Sequence, residues 1–181
     1  MNFTALPRLA ALAMLIGLAT PAHAFLGMFK KQQKRVPPAN ELQAQEGQAT
    51  ALLAEARAKG DKGALKSIVE RYPFTKAAAE AAFDYAMLVR QDGRIQDAFD
   101  AFQKFITDYR SSPRFNEAIQ QQYEIAEEAK GGKKQSTMIL VPMKLGTEDT
   151  VKLYKQIIAN APYGRFAPLA QFSIGEVYQD K

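Results

Sequence analysis

Three proline-anchored segments of this chain superpose without a gap and carry the same residue types, which points to a repeat. With Pro73, Pro113 and Pro162 aligned, a small residue follows thirteen positions later in each: Ala86, Ala126 and Gly175. An aromatic lies three residues before it: Phe83, Tyr123 and Phe172. Tyr85, Ile125 and Ile174 directly precede it. The prolines are 40 and 49 residues apart, so the repeat contains one insertion. Periods of this size are those of stacked helical hairpins, in which each hairpin buries its apolar face only against its neighbours. Such stacks more often bind than transform.

The 181 residues suffice for one domain or a short solenoid, and a hydrophobic fraction of 47% with 24% charged residues is that of a folded protein. The net charge of +5 is too small, and its lysines and arginines too scattered, to mark a nucleic-acid binder. Residues 1–24 read as a secretory signal peptide: Arg8, then 11 apolar residues from Leu9 to Ala19, then Ala22-His23-Ala24 as the cleavage signal. The alternative is an N-terminal anchor that stays attached. Cleavage places the mature start at Phe25 and removes Arg8 and His23, lowering the net charge by one and leaving no histidine. With no cysteine, the chain has neither disulfides nor a lipid-bearing mature N-terminus, so the expectation is an exported, periplasmic protein that is not a lipoprotein.

Residues 25–39 form a basic leader, in which Phe25 and Phe29 beside Lys30 and Lys31 suit peripheral contact with an anionic membrane surface. The bland alternative is a flexible leader. Residues 40–181 read as the folded domain. Asn40 is expected to cap the first helix, with Gln43 completing a capping box, and Gly60 to end it. A second helix covers about 63–72 and an alanine-rich third about 75–90. Asp92-Gly93 makes a turn into a fourth helix over about 95–109, striped by Ala98, Phe102, Phe105, Ile106 and Tyr109. Pro113 opens a helix ending near Lys130, and Thr147 begins another striped by Val151, Tyr154, Ile157 and Ile158. Pro162 opens the last, with Phe166, Leu169, Phe172, Ile174 and Tyr178. Gly175 and Tyr178 stand where a helix A has them, and the turn glycine would follow Lys181. The chain therefore reads as a piece of a longer array, or as one closed by an unpaired helix.

At these residues the chain resembles the tetratricopeptide repeat. Ala86, Val89, Gly93, Ala98 and Phe102 stand where that pattern has its small, apolar, turn and aromatic residues, as do Ala126, Ala129, Tyr154, Ile157 and Pro162 around the insertion. The helix-A tryptophan of the family is absent, and the proline closing the second hairpin comes three residues late. Tyr72-Pro73-Phe74 and Phe105 to Tyr109, followed by Ser112-Pro113, are similar to BamD-like proteins, which act in inserting β-barrels into the bacterial outer membrane. The lipid-bearing cysteine of the familiar members is missing. The resemblance implies an all-α fold, a tetratricopeptide-like antiparallel helix-hairpin array wound as a right-handed superhelix, with three complete hairpins and a partial fourth. It further implies a non-enzymatic envelope scaffold that binds protein partners or extended peptides, takes no cofactor and contributes to outer-membrane assembly. A periplasmic adaptor for cell-wall enzymes is the alternative, and a carboxylate-dependent hydrolase the remote one.

The residue inventory agrees with a binding role. Without histidine or cysteine the mature chain has no Ser-His-Asp triad, thiol nucleophile or His/Cys zinc site. Glu80 with Asp84, and Glu124 with Glu127 and Glu128, share helix faces but read as solvated surface charge. Ser136 with Lys133 or Lys134 is a further nucleophilic pair, and a glycine-containing loop gives it no fixed geometry. The insertion, residues 131–146, is the sharpest candidate. Its apolar Met138, Ile139, Leu140, Val141 and Met143 suit pairing with a partner strand, or else fold back to cover core.

Overall fold

A computed structural model describes residues 35–131 and 145–179, and among these the chain is all-helical. Seven helices follow in order: α1 (Ala39–Lys59), α2 (Lys62–Arg71), α3 (Lys76–Gln91), α4 (Ile95–Asp108), α5 (Phe115–Lys130), α6 (Thr147–Asn160) and α7 (Phe166–Gln179). Each helix packs on the next in sequence, and α1 also packs on α3 and α5 on α7. The odd-numbered helices therefore lie side by side, with even-numbered helices behind them.

Local chemistry sets the boundaries. Gly60 ends α1 with φ 59°, and Gly93 turns between α3 and α4 with φ 73°, left-handed conformations that cost glycine little. Asp61 and Thr75 cap α2 and α3, accepting hydrogen bonds from Ala64 N–H and Ala78 N–H. Glu46 of α1 adds a second cap on α3: its carboxylate accepts from Lys76 N–H at 2.7 Å and Ala77 N–H at 2.9 Å. That bond fixes α1 against α3 and places a negative charge at the positive end of the α3 dipole. Asn40 is not the expected cap. Pro38 holds that position and its carbonyl accepts from Leu42 N–H, so Asn40 falls inside the first turn and the capping box does not form.

Two apolar clusters hold the stack. The smaller joins α1, α2 and α3 through Leu53, Leu65, Ile68 and Ala78. The larger runs from α3 to α7, and at its centre the Phe83 ring meets Phe102 and Phe105 edge-on, with centroids 5.4 and 5.5 Å apart. Edge-to-face aromatic pairs add about 1 kcal/mol each beyond the area they bury. Ala86, Val89, Ala98, Phe102, Ala126, Ala129, Tyr154 and Ile157, which carry the sequence resemblance, are all buried in this cluster.

The third proline-anchored segment does not superpose as the sequence suggests. Ala86 and Ala126 are fully buried, but Gly175 is exposed, and Phe172 is 69% exposed where Phe83 is fully buried. The buried residues of α7 match those of α5 one position earlier: Ala167 with Ile119, Ala170 with Gln122, Ser173 with Ile125, Ile174 with Ala126 and Val177 with Ala129. The difference, one residue fewer in the third segment, lies between Pro162 and Ala167, against Pro113 to Ile119. A loop absorbs it without strain, whereas the helix keeps its own period.

Candidate binding face

The odd-numbered helices are laced together by ion pairs. Arg57 of α1 donates to Asp84 at 2.6 Å and Glu80 at 3.0 Å on α3. Arg114, in the loop before α5, reaches the same two carboxylates at 3.4 Å each and pairs with Glu117 at 2.8 Å. Its guanidinium carbon lies 3.5 Å from the centre of the Phe83 ring. Planar guanidinium suits this combination of stacking and fork-like donation; an ammonium would not. Farther along, Arg90 of α3 binds Gln121, Glu124 and Glu128 of α5. The same rung recurs one repeat later, where Lys130 of α5 binds Glu176 of α7 at 2.7 Å.

Glu127 closes the ladder. Its carboxylate accepts from the Tyr154 hydroxyl and the Ser173 hydroxyl, each at 2.7 Å, and pairs with Lys130 at 2.9 Å. Burial pulls its pKa up, but the three donors outweigh it and hold the carboxyl below its ordinary value. Glu124 behaves alike, with burial opposed by Arg90 and Gln120. Burial and the bond to Glu127 push the Tyr154 phenol well up, so it stays a neutral donor. A general acid needs a raised carboxyl pKa and a nearby reacting position. The Glu124 and Glu127 carboxyls are shifted the other way, and all five carboxylates of the ladder already have their donors. Glu80, Asp84, Glu124, Glu127 and Glu128 are therefore ties between helices, a correction to reading them as solvated surface charge.

Beneath the ladder lies a polar knot. Gln122, fully buried on α5, donates to Gln103 Oε1 of α4 at 3.0 Å, and Asn160 of α6 donates to Gln122 Oε1 at 2.9 Å and to Gln103 Oε1 at 2.6 Å. Gln103 returns a bond to Asn160 Oδ1 at 3.1 Å. Each buried amide is satisfied by the others, so the knot fixes the register of three helices. Sequence reasoning passed over it. The available signal was Gln122 itself, a polar residue on the buried stripe of Ile119, Ile125 and Ala126.

Two clefts open between the loops that join successive hairpins. The larger, about 600 Å³, lies between Pro73, Phe74 and Lys76 on one side and Tyr109, Ser112 and Pro113 on the other. Burial, with the charge of Asp108, pushes the Tyr109 pKa up to about 12, which leaves its hydroxyl a hydrogen-bond donor. The second, about 430 Å³, lies between Asn116 and Ile119 of α5 and the Gly164-Arg165-Phe166 segment. Asn116 and Ile119 stand one repeat after Lys76 and Ala79, and Ala79 also lines the first cleft, so the two clefts recur with the repeat.

The residues singled out from sequence as a partner strand (Met138, Ile139, Leu140, Val141 and Met143), as a membrane contact (Phe25, Phe29, Lys30 and Lys31) and as a nucleophilic pair (Ser136 with Lys133 or Lys134) lie outside the described residues, as does the signal segment 1–24. Of the insertion, Gly131 terminates α5, Leu145 packs half-buried on the large cluster and Gly146 precedes α6. Among the described residues no helix is long and apolar enough to cross a membrane, and no group of three metal-ligating side chains converges. No protein-family model matches the sequence, and comparison with curated proteins finds no match.

Proposed function

We propose that this chain is a non-enzymatic scaffold of the cell envelope, a tetratricopeptide-like array that holds extended segments of partner proteins and serves outer-membrane β-barrel assembly. The observation that carries the reading is the recurrence of the loop clefts. A ligand that fills one and continues along the array meets the next at the repeat interval, which suits an extended peptide better than a compact small molecule. Aromatic and proline walls at Phe74, Tyr109 and Pro113, with hydroxyls beside them, offer apolar contact and hydrogen bonds to a peptide backbone. The export signal in the sequence supports a periplasmic setting, and the similarity of Tyr72-Pro73-Phe74 and Ser112-Pro113 to BamD-like proteins supports the assembly role.

A photo-crosslinking residue at Ser112, on the rim of the larger cleft, tests this in envelope extracts. Capture of β-barrel assembly subunits or unfolded outer-membrane chains is expected. Capture of cell-wall enzymes instead would replace the assembly role with that of a cell-wall adaptor. Absence of any crosslink at Ser112, with crosslinks from a control position on α2, would remove the cleft from the binding face.

A further inference from the structure

The polar knot has an apolar counterpart one junction earlier. Tyr72, Tyr109 and Ala161 end α2, α4 and α6 alike, with φ of -126°, -127° and -145° and each amide donating to the carbonyl four residues back. In that frame Gln103 and Asn160 correspond to Lys66 and Asp108. Ala78, Ala86 and Val89 of α3 likewise match Ala118, Ala126 and Ala129 of α5, so Gln122 corresponds to Ala82. Three amides close the junction of α4, α5 and α6. At the junction of α2, α3 and α4 a bare methyl group, that of Ala82, stands in the place of the Gln122 side chain. A hollow of about 110 Å³ opens there, walled by Val69, Ala82, Tyr85, Ala101 and Tyr109.

Size, wall and rim together define what fits. The hollow is too small for a drug-sized molecule and has room for about one side chain. Its wall is methyl groups, a valine and two tyrosine rings. The charges at its rim cancel: Lys66 and Lys104 against Glu70 and Asp108. Lys66 Nζ lies 5.1 Å from the centre of the Tyr85 ring, and Lys104 is held by Asp108 at 2.5 Å. An uncharged apolar group is therefore the complementary occupant. Its source is set by position, because Asp108 and Tyr109 line both this hollow and the larger loop cleft. We infer that the hollow is an anchor subsite, which takes one branched or aromatic apolar side chain from the extended partner segment lying in that cleft. The inference rests on the reading of the cleft as a peptide site and adds what the segment must carry. One desolvated anchor can supply much of the affinity of such a contact and fix the register of the segment on the array. The next junction offers no second subsite: Leu153 replaces Ala101 there, and the amide knot fills the rest. The segment thus needs one anchor and not a periodic series.

Two probe peptides of about twelve serine and threonine residues, one with a central phenylalanine and its twin with alanine there, test this by NMR titration of the full chain. The phenylalanine peptide is expected to bind at least about tenfold more tightly and to shift the amide signals of Ala82, Ala101 and Ser112. The alanine twin should shift Ser112 alone. Ala101→Leu copies Leu153 of the next junction, and Ala82→Leu fills the hollow from α3. Each should bring the two peptides to equal affinity, with helix content by circular dichroism kept. The substitutions lie on different helices, so a fold lost in one leaves the other to decide. Equal affinities in the parent, with Ser112 shifted by both peptides, would overturn the anchor and leave the cleft. A phenylalanine advantage that survives both substitutions would overturn it as well. Shifts at Ala82 and Ala101 without any at Ser112 would keep the hollow as an apolar side-chain site and remove the cleft, and no shift at any of the three would overturn both.

Discussion

Helices α5 and α7 occupy equivalent places in the stack, yet they turn opposite surfaces outward. Their buried faces match position by position, from Ile119 and Ala167 through Ala129 and Val177. Their outer faces do not: α5 carries a ladder of amides and charges, and α7 exposes Leu169, Phe172, Gly175 and Tyr178. The inner face is dictated by neighbours on both sides and has little freedom. The outer face answers only to what touches it from outside, and there a repeat protein can differ between copies without losing its fold. Function should therefore follow the differences between α5 and α7, and stability their likenesses.

The largest expected effect comes from the shared core. Phe102→Ala removes a fully buried ring from the Phe83 cluster and should cost about 3–5 kcal/mol, measured by urea denaturation. Next is a position where the two buried faces differ chemically. Gln122→Ala copies the alanine at Ala170 of α7 but takes one hydrogen bond each from Gln103 and Asn160, and should cost about 1–3 kcal/mol despite matching its neighbour. If it is neutral, the amide knot does not hold register.

Glu127→Gln probes the outer ladder and should cost about 1–2 kcal/mol near neutral pH. Its pH dependence has a fixed sign. The folded pKa of Glu127 lies below the ordinary carboxyl value of 4.5, so the unfolded chain binds protons more readily. The stabilisation is fully present above that value and disappears as pH falls through the lower, folded one. Acid titration of the Gln variant should show a flatter loss of stability over that window than the parent. The smallest effect on stability belongs to α7: Phe172→Ser should stay within about 0.5 kcal/mol of the parent.

Much of the fold is legible in the sequence because helices announce their period. The stripe of Ala98, Phe102, Phe105 and Ile106 needs no structure to be read, and Gly60 and Gly93 mark their turns. Two kinds of feature were not legible. A proline marks a loop and not the helix after it, so one residue fewer between Pro162 and Ala167 shifted the apparent register of all of α7. The ladder was hidden because Arg90 finds Glu128 across a fold, 38 residues away, and no local spacing encodes that distance. Of the candidate site, the prolines and Tyr109 stood out in sequence, but the cleft they form with Phe74 depends on two loops being brought together by α3 and α4.

The shared frame with divergent outer faces is tested most directly by thiol labelling of single-cysteine variants at dilution, since the chain supplies no background. Phe172→Cys and Gly175→Cys should react at nearly the rate of an unstructured peptide, while Ile174→Cys, between them in sequence, should be strongly protected. Fast labelling at 174 with protection at 172 and 175 would restore the register drawn from the prolines and contradict the outer face assigned to α7.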